Sequence, residues 1–298
     1  MNTGVDLYCV MGNPVEHSRS PWIHARFAEL TGERLCYERR LVPLGGFADA
    51  LHHFAATGGR GCNVTVPFKL DAAHIATHRS ERVLLAGAAN TLTLADGAIV
   101  ADNTDGLGLV ADLTRNAGIE LAGRDVLLIG AGGAAAGALG PLLQAGPRRI
   151  VVANRTLARA QALVQAHAAL AALQKTELLA LATQGLEADL APNHRFDLVI
   201  NASASSLAGD AVPVPASVLR PGSLAYDMMY GAAAQGFLDW ASAHGAHARD
   251  GLGMLVEQAA EAFAIWRGVH PPGAPVLAEL RALMAAPPAA AAPASAAP

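Results

Sequence analysis

One short segment, Gly130-Ala131-Gly132-Gly133-Ala134-Ala135, limits the possible folds of this chain more than anything else in it. It follows an apolar run, Val126 to Ile129, that reads as a buried strand, and it opens helix-forming sequence from Gly133 to Gln144. The first glycine allows a tight turn, the second lets backbone approach a pyrophosphate, and the small final residue lets the helix pack close to the strand. The helix N-terminus adds positive dipole. In that context Gly130, Ala131, Gly132, Gly133 and Ala134 point to a bound dinucleotide, against the plainer alternative of a tight strand-to-helix turn.

Cofactor choice is read about 20 residues further on, where an acidic side chain would accept from the ribose 2'-hydroxyl of NAD. Here the chain has Asn154-Arg155-Thr156 and then Arg159. A guanidinium pairs with a 2'-phosphate, which a carboxylate would repel, so NADP is expected. The alternative is that Arg155 and Arg159 only solvate a helix start.

The rest of the chain fits two α/β units. Of 298 residues, 52% are apolar and 15% charged, and alanine alone accounts for 66, so a sizeable core is available and disorder of the whole chain is excluded. A net charge of -4, with no extended block of like charge, argues against nucleic acid and against an anionic membrane surface. Val126 to Pro147 carries no charge, but its many glycines and alanines supply too little hydrophobicity for a span. Cys9, Cys36 and Cys62 have no C-x-x-C spacing and follow no secretion signal; they read as buried thiols of a reducing compartment.

Short β-like runs alternate with helical ones through the first third, which implies a largely parallel sheet. Asp96-Gly97 marks a hairpin turn between Asn90–Leu94 and Ala98–Ala101. A second βαβ series runs from Val126 to Met228, and Leu252–Gly268 and Val276–Met284 read as helices returning to the first unit. The expected division is a substrate domain over 1–105 completed by 252–285, a Rossmann-type NADP domain over 106–251, and a disordered Pro/Ala tail over 286–298.

Five polar clusters fall at expected strand ends or loops: His17-Ser18-Arg19-Ser20-Pro21, Asn63-Val64-Thr65-Val66-Pro67-Phe68-Lys69, Ala89-Asn90-Thr91, Asp102-Asn103-Thr104-Asp105-Gly106, and Asp250 to Gln258. Hydroxyls, amides, one lysine and one aspartate suit a small hydroxyl-rich ligand. The histidines have no metal-ligand spacing, and no nucleophile elbow is present. Trp22, Trp240 and Trp266, on helical runs, are expected in the core.

With these motifs in this order, the chain resembles the shikimate dehydrogenase family over roughly residues 6 to 285. The resemblance implies reversible NADPH-dependent reduction of 3-dehydroshikimate to shikimate, on the route to chorismate and the aromatic amino acids, in the cytoplasm, by a monomer or homodimer. It also implies roles for residues. Lys69 and Asp105 match the catalytic pair, and both also count as substrate contacts. Ser18 and Ser20 match the serines that hold the substrate carboxylate. Thr65 and Tyr230 match further substrate contacts, and Asn90 and Gln258 match positions that bond the ring hydroxyls. Gly251 falls where backbone approaches the nicotinamide, and Met228 is counted with the cofactor contacts. The chemistry agrees with the pair: hydride delivered to a ketone carbon leaves negative charge on oxygen, which needs a nearby cation and a proton donor.

Three departures from the commonest family pattern stand out. Ala135-Ala136 replaces a frequent polar or basic residue, the loop Asn201 to Ser206 lacks a glycine, and Gly231 to Gly236 lacks a Thr-Pro pair. Two other readings stay open at this point: a quinate/shikimate dehydrogenase of broader specificity, and a catalytically silent NADP-binding sensor on the same scaffold.

Overall fold

The computed structural model describes residues 4–184, 186, 195–203, 205 and 210–285. The 286–298 tail lies outside the described residues, as do Ala204 and Ser206 of the loop after Asn201.

Alternating apolar runs and amphipathic segments build the first sheet from β1 (Asp6–Gly12), β2 (Leu35–Leu41), β3 (Gly59–Val64), β4 (His78–Arg79), β5 (Thr91–Ala95) and β6 (Ala98–Asp102), in the order β2-β1-β3-β5-β6-β4. Its first half is parallel, as expected. Strand β5 then runs antiparallel to β3 and forms a hairpin with β6, where Asp96 and Gly97 both adopt positive φ and reverse the chain in two residues. Helices α1 (Ser20–Thr31), α2 (Phe47–Ala56), α3 (Lys69–Ile75) and α4 (Glu81–Ala86) connect these strands.

Helix α5 (Asp105–Ala111) runs into one π-helical turn, Asp112–Asn116, and leads to the second sheet. That sheet holds β7 (Asp125–Ile129), β8 (Arg149–Asn154), β9 (Glu177–Ala182), β10 (Phe196–Asn201), β11 (Leu219–Asp227) and β12 (His247–Arg249), with α6 (Gly133–Gln144), α7 (Leu157–Gln174) and α8 (Gln235–Ala243) among the connections. Its order, β12-β11-β10-β7-β8-β9, is parallel throughout. This is the doubly wound arrangement, in which strand order reverses between β7 and β10 and opens a crevice at their carboxyl ends. Helix α9 (Leu252–Arg267) returns to the first unit and packs with α1 and α10 (Gly273–Ala285) around Ile23, Phe27, Val256, Phe263 and Val276. Among the described residues no helix is long and apolar enough to cross a membrane.

The expectation of three buried thiols needs one correction. Cys9 and Cys62 face each other across β1 and β3 in the core, but Cys36 is exposed, because β2 is an edge strand and Cys36 points off it. The three tryptophans are partly buried rather than fully enclosed; Trp266 stacks on Tyr8 at 4.7 Å.

Candidate active site

Both sheets turn the carboxyl ends of their central strands toward one cleft of about 920 Å³. The local sequence explains how each polar group reaches it. Phe68, buried and stacked on Phe47, anchors the turn after β3, and the next residue, Lys69, starts α3 with its side chain in the cleft. Asp105 starts α5, and its backbone amide is held by the Asn103 side chain. Lys69 Nζ donates to Asp105 Oδ2 at 2.6 Å, with the two side chains 27% and 10% exposed. The ammonium therefore faces the cleft, while the carboxylate lies behind it.

Asn90 organises this corner. Its Nδ2 lies 2.9 Å from Asp105 Oδ1, 3.0 Å from Thr104 Oγ1 and 3.2 Å from Gln258 Oε1, while its Oδ1 accepts from the Thr104 amide at 2.8 Å. Gln258 reaches it from α9 because α5 carries Gly108 at the crossing, where a Cβ would strike the Gln258 backbone. Ser18 and Ser20 line the same cleft, with the Ser20 amide donating to Ser18 Oγ at 3.3 Å. Thr65 and Tyr230 line it too, and burial pushes the Tyr230 phenol up, with the Arg19 charge opposing.

The dinucleotide end carries the features its chemistry requires. Gly130 has φ +108° and lies so close to the Ala202 backbone that a Cβ would collide with it. The Cβ positions of Gly132 and Gly133 point into open space, and no side chain caps the start of α6, so amides are free for a pyrophosphate. Ala131, Ala134, Asn154, Arg155, Arg159, Met228 and Gly251 line the same cleft. Residues present and space available thus fit an NADP-type dinucleotide. Thr156 does not line the cleft; it precedes α7, and its carbonyl accepts from Asn154 Nδ2 at 2.8 Å. Of the Ala135-Ala136 departure, Ala135 is buried on the core face of α6.

Asn63 belongs to one of the polar clusters, but the sequence assigns it no role in the site. It lies at the end of β3 two residues before Thr65, lines the cleft, accepts from the Tyr37 hydroxyl at 2.7 Å and donates to the Asn90 carbonyl at 3.2 Å. The period-two alternation of a strand that delivers Thr65 was the available signal. Ser203 and Ser205, 2.6 Å apart, were also missed as lining residues.

Sequence profiles of three families match this chain: the shikimate dehydrogenase substrate binding domain over residues 10–92, the shikimate / quinate 5-dehydrogenase over 112–207, and the shikimate 5'-dehydrogenase C-terminal domain over 251–281. A shikimate dehydrogenase (NADP(+)) of Acidovorax sp. (strain JS42) is 75% identical over 286 residues, 96% of this chain and 99% of the relative. Among solved structures, an Ael1 enzyme from Pseudomonas putida is 45% identical, with a TM-score of 0.84 over 92% of this chain and 98% of the other. Shikimate 5-dehydrogenase from Thermus thermophilus, in complex with NADP(H) and shikimate, is 29% identical, with a TM-score of 0.76 over 93% of this chain and 99% of the other.

Proposed function

The chain belongs to the shikimate dehydrogenase family, and we propose that it interconverts 3-dehydroshikimate and shikimate with NADP(H), in the synthesis of chorismate and the aromatic amino acids. The observation that carries the chemistry is the 2.6 Å Lys69–Asp105 pair, which lines one cleft together with the glycine turn and with Ser18 and Ser20. When bound, NADPH supplies the hydride. Ser18 and Ser20 hold the substrate carboxylate, which fixes the ring, and Asn90, Gln258, Thr65 and Tyr230 meet its hydroxyls and faces. Lys69 places its ammonium at the ketone oxygen, where negative charge develops, and the proton that completes the hydroxyl leaves the Lys69–Asp105 pair. Asp105, fixed by Asn90, orients that ammonium. Arg155 and Arg159 favour NADP through charge-assisted pairing with the 2'-phosphate.

One chain assembles the whole cleft, which fits a monomer or a homodimer with independent sites. Two facing but unbonded core thiols, Cys9 and Cys62, fit a cytoplasmic enzyme.

Initial rates with shikimate and with quinate, each with NADP+ and NAD+, test the reading. Shikimate with NADP+ is expected to be the best pair, and comparable rates with quinate would move the chain to the broader specificity. Reduction of neither cofactor by either substrate would leave the silent NADP-binding protein. Lys69→Ala should lower kcat by about 100-fold or more, the scale of lost general acid catalysis, with an unchanged melting temperature; near-normal turnover would remove Lys69 from the chemistry.

A further inference from the structure

The two serines assigned to the substrate carboxylate are neutral, yet a carboxylate leaving water needs charge or several strong donors in return. The structure supplies charge from behind them. Strand β2 carries Tyr37 and Arg39 on one face, toward α1, where the Tyr37 ring stacks on His24 at 4.1 Å; Arg40 lies on the other face, over the Phe54 ring of α2. Arg39 reaches across to the loop before α1 and donates to the Ser18 carbonyl twice, from Nε at 3.0 Å and from Nη2 at 2.6 Å. Two N–H groups of one planar guanidinium converge on that single oxygen and fix both the position of the peptide and the orientation of the arginine.

Among the described residues no carboxylate pairs with Arg39 or with Arg19, which stands between the two serines and faces Tyr230. Glu38, the adjoining acid on β2, is paired with Arg40 at 2.6 Å, and Glu16 accepts from the Val15 amide at 3.1 Å.

We propose that Arg39 is a positioning and charge-setting residue for the carboxylate end of the cleft: it clamps the Ser18 peptide and, with Arg19, makes the site prefer a carboxylate-bearing substrate over the same molecule without the charge. This rests on the assignment of Ser18 and Ser20 to the carboxylate. Serine hydroxyls bond an ester or amide oxygen too, though less strongly than a carboxylate, and the arginines add charge that only the carboxylate can use. The same field adds to encounter with an anionic substrate, and salt screens it.

The test compares binding and turnover of shikimate with those of its uncharged methyl ester, using the full chain and its Arg39→Gln, Arg39→Lys and Arg19→Gln variants at low and high salt. Arg39→Gln is expected to weaken shikimate about tenfold in Kd and KM, as the site loses both the clamp on the Ser18 peptide and the cation behind it, and to weaken the ester less, through the clamp alone, with kcat little changed. Arg39→Lys keeps the charge without the fork and should retain most of the shikimate-over-ester preference. Arg19→Gln should lower the preference less and flatten its salt dependence. Equal losses for shikimate and ester in Arg39→Gln would reduce Arg39 to a structural prop, and unchanged shikimate binding would remove it from recognition. Should Arg39→Gln fail to fold, the Arg39→Lys and Arg19→Gln preferences decide the matter by the same criterion. Turnover by the wild-type chain tests the activity, whereas the ratio of Kd values needs no turnover, so either reading can fail without the other.

Discussion

Single side chains in this cleft act through how completely they are held. Asn90 is 2% exposed, and its amide and carbonyl both have partners, so it fixes Asp105 and Gln258 relative to the turn after β6. That degree of constraint is what lets a lysine and an aspartate from separate helices hold one geometry. Arg155 and Arg159 are the contrasting case: both are exposed at the start of α7, and no carboxylate pairs with them among the described residues. Such residues are free to meet an incoming phosphate. Arg155→Asp is accordingly expected to raise KM for NADP+ by about 10- to 100-fold, since a bidentate attraction becomes a repulsion, with KM for NAD+ held within a few-fold. An NADP+ preference that survives the change would sink the assignment. The motifs showed these residues in the sequence because their chemistry is written in residue type. The part played by Asn63 stayed hidden, since it depends on Tyr37 and Thr91 reaching it from strands that the chain visits 26 residues earlier and 28 later.

At the scale of elements, a small polar clasp ties the π-helical turn after α5 to β11 and the end of β12 in the second sheet, beside the glycine near the start of α9. Asp112, in the π-helical turn after α5, is fully buried; it accepts from Arg249 Nε at 3.0 Å and Nη2 at 2.6 Å, and from the Tyr226 hydroxyl at 2.8 Å. Burial and the Asp112 carboxylate hold the Tyr226 phenol well above its usual range. Gly253, near the start of α9, leaves the space this carboxylate fills, because a Cβ there would overlap it. Asp112→Ala would leave the Arg249 guanidinium without its partner in a largely enclosed site, so it should cost about 3 kcal/mol or more of unfolding free energy, read as a lower urea midpoint. The ion pair Arg26–Glu279, on the outside of α1 and α10, should give no measurable shift when Glu279 becomes Gln. A loss at Asp112 no larger than at Glu279 would mean that the buried clasp contributes no more than a surface ion pair. None of this clasp was legible in the sequence, because Asp112 meets partners that lie 114 and 137 residues further along the chain. Strands β9 and β12 escaped altogether, each for its own reason. Strand β9 is a run of Glu, Leu and Ala, a helix-like composition that only pairing with β8 makes extended, and β12 has three residues. By contrast, α6 and α9 were legible to within a residue because glycine turns and an apolar stripe bound them.

For the molecule as a whole, the first sheet, the returning helices and the cleft wall meet at one buried imidazole, and that meeting point sets an acid limit on stability. His24 lies on α1, fully buried, stacked on Tyr37 of β2 and 6.2 Å from the Phe263 ring of α9. Burial, opposed in part by the Asn63 side chain, pushes its imidazole down to about 3 from an ordinary 6.5. The native chain therefore keeps His24 neutral where the unfolded chain takes up a proton. Stability is unaffected above about pH 6.5 and falls with pH between there and about 3, by up to about 1.4 kcal/mol per pH unit from this residue alone. The helices around His24 also carry the Ser20 end of the cleft, so activity lost on mild acidification should follow the unfolding midpoint rather than a separate titration of the chemistry. The measurement is a urea midpoint from pH 7 down to pH 4, in the wild-type chain and in His24→Phe, which keeps an aromatic ring against Tyr37 and cannot take a proton. The variant should lose less stability over that range, by about the slope given, even if it starts lower because phenylalanine fits the slot less well. Parallel curves for the two proteins would show that the acid limit lies with the carboxylates, and that His24 is only a packing residue.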